Sequence, residues 1–234
     1  MKGILIACGI ILLWLAHLLY SLFMLPAPST ATISSPVQAA WMLFHILLQT
    51  WLFTGLFITA HDAMHGTVAP GRAKVNYLTG MTATFLFAAL SYRKLLEKHH
   101  LHHKHPGTEL DPDYYTGAQN FWVWWYSFMR QYLTLWQFLI MAVLFNLLNI
   151  WFATSALILY WILPSILSTL QLFYFGTYLP HRLPHTEAMT EHHARTQKKN
   201  HLWALISCYF FGYHLEHHLW PGTPWWHLYT KKTA

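Results

Sequence analysis

Long apolar runs alternate with short polar stretches along this chain. Neither Gly3 to Leu25 nor Val37 to Ala60 contains an Asp, Glu, Lys or Arg. Each run, of about 23 residues, is long enough to cross about 30 Å of hydrocarbon at roughly 1.5 Å per helical residue. The pattern therefore predicts two membrane-spanning helices, at 3–25 and 37–60.

The second half of the chain contains a longer apolar stretch. From Gln137 to Pro180 no residue is Asp, Glu, Lys or Arg. These roughly 44 residues can form two spans joined by a tight turn, near Asn149 to Ser155 or at Pro164. We expect the two spans at 137–157 and 158–180.

A shorter apolar segment, from Tyr77 to Ser91, lies between these two regions. At about 15 residues it is short for a crossing, so we expect an interfacial or re-entrant helix. The predicted fold is all-α and integral to the membrane, with four transmembrane helices, interfacial or re-entrant helices and a cytosolic histidine-rich cap. No repeat or linker divides the chain, so we expect a single domain over 1–234.

Composition and charge support a membrane protein. The chain is 55% hydrophobic and only 9% charged, which argues against both a water-soluble domain and disorder. Apart from Lys2, every Lys and Arg falls in 72–130 or 182–232, so four spans place all 14 on one side. The positive-inside rule makes that side cytoplasmic, with both termini there, in a cytoplasmic (inner) or equivalent membrane. The basic face can attract membrane lipids, whereas no water-exposed basic module for nucleic acid is present.

Histidine is unusually frequent, with 18 residues, and it recurs in three short groups. The members of each group lie three or four residues apart, on one face of a helical turn. The groups are His61 and His65; His99, His102 and His103; and His214, His217 and His218. Eight imidazoles exceed the four ligands of tetrahedral zinc and the six of an octahedral ion, so the spacing predicts two metal ions. Imidazole suits iron, zinc, copper and nickel alike; the apolar setting without thiolate partners favours iron.

The phrases around these groups resemble a known family. They include His61-Asp-Ala-Met-His65-Gly66, the run from His99 to His105 followed by Asp111-Pro-Asp113, Tyr178-Leu-Pro-His181, and Phe211-Gly-Tyr-His-Leu-Glu-His-His218 with Pro224-Trp-Trp226. In order and spacing they resemble the integral-membrane fatty acid desaturase and hydroxylase superfamily of histidine-box di-iron enzymes. Within it they are similar to the bacterial-type β-carotene ketolases (carotenoid 4-ketolases), from about Trp51 to the C-terminus.

This resemblance implies a chemistry and a ninth ligand. It implies an oxygenase with two non-haem iron ions, O2 as co-substrate and a separate electron donor such as ferredoxin. The implied reaction takes a carotenoid from the bilayer and oxidises the C4 methylene of its β-ionone ring to a ketone, so that β-carotene becomes echinenone or canthaxanthin. The resemblance also implies that His181 is an additional metal ligand.

Four carboxylates lie close to these histidines in the sequence. Asp62 and Glu216 stand among the ligands, where a hydrogen bond to a metal-bound imidazole would fix its tautomer; a capping or surface role is the alternative. Asp111 and Asp113 flank a proline and can mark a turn. The resemblance implies that they orient ligands or neighbouring loops.

Two kinds of alternative function remain open. The histidine groups alone also suit a carotenoid 3-hydroxylase or a fatty acyl desaturase, and only the intervening phrases favour the ketolase. From another class, a membrane metal transporter or sensor could use the same histidines. Transport predicts ionisable residues along the spans, whereas here they concentrate on one face. His17 and His45 do lie inside spans, and for both we expect a neutral, hydrogen-bonded packing role.

Overall fold

The structure is a computed structural model that describes residues 1–25 and 35–232. The described residues form helices and contain no β-strand. The helices are α1 (Lys2–Met24), α2 (Pro36–Met64), α3 (Ala73–Ala88), α4 (Tyr92–Lys104), α5 (Phe121–Tyr132), α6 (Leu135–Leu148), α7 (Thr154–His181), α8 (His201–Cys208), α9 (His214–Leu219) and α10 (Trp225–Leu228). Two π-helical turns, Ile158–Ile162 and Tyr174–Tyr178, interrupt α7, and 3₁₀ turns occur at Glu187–His192 and Tyr229–Lys231. The predicted loop between the first two spans falls almost entirely outside the described residues.

Within residues 1–25 and 35–232, three helices, α1, α2 and α7, are long and apolar enough to cross a membrane. They match the predictions for 3–25, 37–60 and 158–180. A fourth span exists only if α5 and α6, which meet at a bend of 88°, are counted together. The chain is therefore a membrane protein whose described part has helices as its only regular secondary structure and contains three or four candidate spans.

The prediction of one continuous helix over 137–157 was wrong. Helix α6 ends at Leu148, and α7 begins at Thr154. The Thr154 hydroxyl donates a hydrogen bond of 2.7 Å to the side-chain oxygen of Asn149 and so closes the turn between the helices. The turn lies at the first of the two places that the sequence indicated, whereas Pro164 lies within α7.

Helix α2 carries the first histidine pair and has well-defined ends. Ser35 caps its start, accepting from the Gln38 N–H at 3.3 Å while the Gln38 side chain accepts from the Ser35 N–H at 3.1 Å. At the other end Gly66 has a φ of 72°, a conformation that favours glycine, and its N–H bonds the carbonyl of Ala63. The helix therefore ends at Met64, with His65 as its C-cap residue.

Helix α3 packs along α2 and returns the chain to its histidine end. It has 16 residues and is not among the candidate spans. The left-handed conformation of Ala89 ends it, and the Ser91 hydroxyl then caps α4 by accepting from the Lys94 N–H at 3.4 Å. This short turn places α4, with the second histidine group, beside the end of α2.

The hydrophobic core lies among α1, α2, α3 and α7. Trp14 packs edge-on against Phe53 with ring centroids 5.3 Å apart, and Phe53 packs edge-on against Phe87 at 5.6 Å. Leu157 of α7 is fully buried in the same cluster. These contacts fix the helices relative to one another, and thereby fix the ends that carry the histidines.

Candidate metal centre

The three histidine groups and His181 converge at one end of the helical bundle. The nine side chains form two clusters, and within each cluster one potential ligand atom of every residue lies within 4.8 Å of the others. The first cluster consists of His61, His65, His99, His103 and His217, and the second of His102, His181, His214 and His218. All nine histidines predicted as ligands are thus brought together.

Each histidine triplet is shared between the two clusters. On α4, His99 and His103 are four residues apart and join the first cluster, while His102 joins the second. On α9 the division is reversed, because His214 and His218 join the second cluster and His217 joins the first. Neighbouring positions differ by about 100° around a helix, so one turn reaches two adjacent sites. The clusters are consequently side by side, with the His103 and His218 rings 4.4 Å apart.

The spacing of the ring nitrogens fits shared metal ions. The Nε2 atoms of His65 and His99 are 2.7 Å apart, and those of His103 and His217 are 2.9 Å apart. In the second cluster, His218 Nε2 lies 3.1 Å from the Nε2 atoms of both His102 and His214. Two nitrogens bound at about 2 Å to one ion, at tetrahedral or octahedral angles, are separated by about 3 Å.

Two buried imidazole nitrogens that have no hydrogen-bond partner in the described part of the chain also indicate that the clusters bind metal ions. His61 Nε2 and His181 Nε2 are buried and have no hydrogen-bond partner among the described residues. A buried imidazole nitrogen without a partner costs free energy unless it binds something. The donors in both clusters are all imidazole, so the residues present fit two ions that accept nitrogen ligands.

Asp111 hydrogen-bonds one of the clustered histidines. Its Oδ2 accepts from His102 Nδ1 at 2.9 Å and from the Gly107 N–H at 2.8 Å, while its Oδ1 accepts from the Asp113 N–H at 2.9 Å. Burial alone would raise the pKa of Asp111, but the facing His102 holds it below the usual value. A proton fixed on His102 Nδ1 leaves the Nε2 lone pair free for a metal.

His181, at the end of α7, is held in the same way by backbone groups. Its Nδ1 donates to the His193 carbonyl at 3.0 Å, which leaves Nε2 facing the second cluster. The guanidinium of Arg195 donates to the Arg182 carbonyl at 2.5 Å and to the Pro184 carbonyl, so the chain that follows His181 is tied back to it. No sequence motif assigns these contacts to the His193 carbonyl or to Arg195.

Asp62 and Glu216 do not make the hydrogen bonds to ligands that the sequence suggested. Asp62 Oδ1 is 3.8 Å from His61 Nδ1, too far for a hydrogen bond, and its Oδ2 accepts from the Trp225 N–H at 3.1 Å. Asp62 therefore fastens the C-terminal segment to α2. Glu216 is buried, and its Oε2 has no partner among the described residues.

Two histidines within the membrane-spanning helices lie apart from both clusters. His17 and His45 belong to α1 and α2, and their facing nitrogens are 3.0 Å apart. His17 also donates from Nδ1 to the Gln49 side chain at 2.5 Å. Both therefore hydrogen-bond between helices, as predicted.

A largely apolar pocket, or cavity, opens beside the clusters. Four clustered histidines contribute to its wall, namely His61, His99, His102 and His214. Its apolar lining includes Phe57, Phe87, Leu95, Phe128, Leu172 and Phe211, and its other polar lining consists of Asp113, Tyr132, Thr169 and Thr177. Histidines of both clusters thus share a wall with an apolar surface that suits an apolar substrate group.

Phe211 lies in the cavity wall beside the histidines, a position that the sequence pattern did not reveal. Its ring centroid is 5.0 Å from that of His61 and 5.3 Å from that of His214. On its other side it packs against Gly176, where an added Cβ would lie only 2.0 Å from Phe211 Cε1. The absence of a side chain at Gly176 is what admits the ring next to the clusters.

Acidification is expected to release bound metal and to destabilise the fold. Burial lowers the pKa of His214 and His217 well below the ordinary 6.5, and lowers that of His65 to about 4. The unfolded chain therefore takes up protons first, so the free energy of unfolding is greatest above pH 6.5 and falls as the pH decreases from 6.5 towards 4. Metal analysis after dialysis, together with melting in detergent, measures both effects. Metal content that stays constant down to about pH 4 would contradict this expectation.

The chain matches one family model and is similar in sequence to several known ketolases. A family model described as fatty acid desaturase matches residues 36–141 and 128–232. The chain is 39% identical to a β-carotene ketolase from a Paracoccus strain, over 99% of this chain and 92% of that protein. It is 40% identical to a zeaxanthin 4-ketolase from Chlamydomonas reinhardtii, over 97% of this chain and 52% of that protein. A β-carotene ketolase from Haematococcus lacustris is 37% identical, over 97% of this chain and 78% of that protein. No solved structure gives a significant match.

Proposed function

This chain belongs to the fatty acid desaturase family, and within that family we propose that it is a carotenoid 4-ketolase. It oxidises the C4 methylene of a β-ionone ring to a ketone, converting β-carotene to echinenone and canthaxanthin. The observation that carries the proposal is the pair of histidine clusters opening onto one apolar cavity. The ketolase names of relatives that match nearly the whole chain support this choice over a hydroxylase or a desaturase.

The two clusters are proposed to hold two iron ions. The first ion would be bound by the five histidines of the first cluster, and the second by the four of the second cluster. Imidazole also suits zinc, copper and nickel, and we choose iron because the reaction consumes O2. Iron bound there supplies the activation of O2 and the oxidation of an unreactive C–H bond.

The protein itself orients the ligands and the substrate. Asp111 keeps the proton of His102 on Nδ1, and the His193 carbonyl does the same for His181. The apolar cavity accepts the ring and excludes water from the reacting carbon. Phe211, wedged beside His61 and His214, limits how the ring approaches the clusters.

The reaction needs electrons from outside the chain. Two oxygen insertions at the same carbon, each requiring one O2 and two electrons, give a geminal diol that loses water to form the ketone. We propose a small redox protein such as ferredoxin as the donor. The surface favours an acidic partner, because the chain has 14 Lys and Arg against 8 Asp and Glu, and Asp62, Asp111 and Glu216 are buried.

The enzyme is proposed to lie in the cytoplasmic membrane, with its histidine clusters and both termini on the cytoplasmic side. The convergence of the groups supports this topology, since ligands of adjacent ions must emerge on one side of the bilayer. Between His65 and His99 lies only α3, which is not a candidate span. Between His103 and His214 lie α7 and the bent pair α5 and α6, which give an even number of crossings if the pair counts as one.

Expression in cells that produce β-carotene tests the function. We expect echinenone and canthaxanthin in the pigment extract, and about two iron ions per chain in the purified protein. Cells that express the His217→Ala variant serve as the control. Zeaxanthin as the product would indicate a 3-hydroxylase, and unchanged pigment with new fatty-acid double bonds would indicate a desaturase.

A further inference from the structure

Two polar side chains meet in the wall of the otherwise apolar cavity. Asp113 and Tyr132 both line it, and the Tyr132 hydroxyl donates a hydrogen bond to Asp113 Oδ1. The peptide groups of Asp113 are also held, because its N–H donates to Asp111 at 2.9 Å and its carbonyl accepts from the Trp124 indole at 2.8 Å. The carboxyl group is therefore presented to the cavity by a fixed segment of backbone.

This carboxyl group lies close to the second cluster. A carboxylate oxygen of Asp113 is within 4.8 Å of a ring nitrogen of His102. The same cavity is lined by His102 and His214, so a ring whose C4 approaches these histidines has its neighbouring carbons close to Asp113. In a β-ionone ring C3 is bonded directly to C4, and a hydroxyl on C3 therefore lies beside the carbon that reacts.

One oxygen of the Asp113 carboxyl group is left without a partner. The Tyr132 hydroxyl donates a hydrogen bond to Oδ1, and no described residue donates a hydrogen bond to Oδ2. An acceptor left unpaired against an apolar ring costs free energy, whereas a ring that carries a hydroxyl can satisfy it. An ionised Oδ2 accepts a hydrogen bond from the ring hydroxyl, and a protonated Oδ2 donates one to it, so the contact forms with either charge of Asp113.

We propose that Asp113, oriented by Tyr132, is the specificity-determining contact for a hydroxyl on C3 of the substrate ring. The enzyme then accepts 3-hydroxylated rings, such as those of zeaxanthin, and these two side chains raise kcat/KM for them relative to unsubstituted rings. This proposal rests on the proposed ketolase function. It goes further by assigning the choice between the two kinds of ring to one pair of residues.

The ratio of kcat/KM for zeaxanthin to kcat/KM for β-carotene tests the proposal, measured on full-length protein in lipid nanodiscs with a ferredoxin reducing system. Asp113→Leu removes the carboxyl group, and we expect the ratio to fall roughly tenfold to a hundredfold. Tyr132→Phe removes only the orienting hydroxyl, so the ratio should fall in the same direction by less. Asp113→Asn keeps an acceptor oxygen for Tyr132 and presents an NH2 group that can donate to the ring hydroxyl, so it should retain most of the ratio. Tyr126→Phe is the matched control, because Tyr126 is exposed on the same helix α5.

Iron content is measured in every variant to separate this role from a structural one. An equal loss of kcat/KM on both substrates in Asp113→Leu and Tyr132→Phe would overturn the proposal, as would an unchanged ratio. A wild-type protein that oxidises neither substrate would refute the ketolase function itself. A wild-type enzyme that oxidises both, with a ratio insensitive to Asp113, would refute only the inference about specificity.

Discussion

Replacing His217 by Ala is expected to abolish ketone formation and to lower the iron content at the same time. His217 is buried, and its Nε2 lies 2.9 Å from His103 Nε2 within the first cluster. Removing it takes one of the five nitrogens from that cluster. The loss of activity should exceed the roughly tenfold to hundredfold cost of losing a hydrogen bond to a ligand. His102→Ala should have a comparable effect through the second cluster.

Pigment analysis in cells and iron analysis of purified protein measure these effects together. His227→Ala is the matched control, because His227 lies outside both clusters and is exposed. It should retain wild-type turnover and iron content. Full turnover in His217→Ala or His102→Ala would remove that residue from the set of ligands.

Asp111→Asn is expected to reduce activity and iron affinity by roughly tenfold to a hundredfold while leaving all nine histidines in place. The Asp111 carboxylate accepts hydrogen bonds from His102, Gly107 and Asp113. An Asn side chain offers one acceptor oxygen and an NH2 group that must face another N–H. The His102 tautomer that leaves Nε2 free is then no longer enforced, so occupation of the second cluster should fall first.

Glu109→Gln is the control for this prediction. Glu109 precedes Asp111 by two residues, and its side chain is exposed. The same exchange of carboxylate for amide should therefore change neither iron affinity nor turnover. Titration of metal-free protein with Fe²⁺ measures the affinity, and wild-type affinity in Asp111→Asn would show that the hydrogen bond to His102 is dispensable.

The hydrophobic pattern predicted the positions of the first two membrane helices but not the bounds of α6. The predicted 3–25 and 37–60 agree closely with α1 and α2, because the length of an apolar run is a local property. The predicted 137–157 was wrong as a single helix. The apolar turn from Asn149 to Ala153 carries no charge, so the sequence indicated it only as one of two possible places. Backbone hydrogen bonds, such as that from the Trp151 N–H to the Leu148 carbonyl, form the turn together with the contact between Thr154 and Asn149.

The local sequence did not predict which of the carboxylates hydrogen-bonds a histidine. The position of Asp62 and Glu216 among the histidines made each a candidate partner of an imidazole, whereas for Asp111 the local pattern indicated only a turn and the family resemblance implied an orienting role. Only Asp111 makes that hydrogen bond. Asp62 instead bonds the backbone of Trp225, more than 160 residues away in the chain, a contact that no local motif encodes.

The sequence by itself determined which imidazoles could act together, since the spacing of three and four residues places them on one face of a short helix. It did not determine how they divide, because the assignment of His99 and His103 to one cluster and of His102 to the other depends on how α2, α4, α7 and α9 meet. The cavity, Phe211 beside His61 and the pairing of Asp113 with Tyr132 were likewise decided by tertiary structure alone. Each joins residues far apart in the chain, and packing, rather than local periodicity, brings them together.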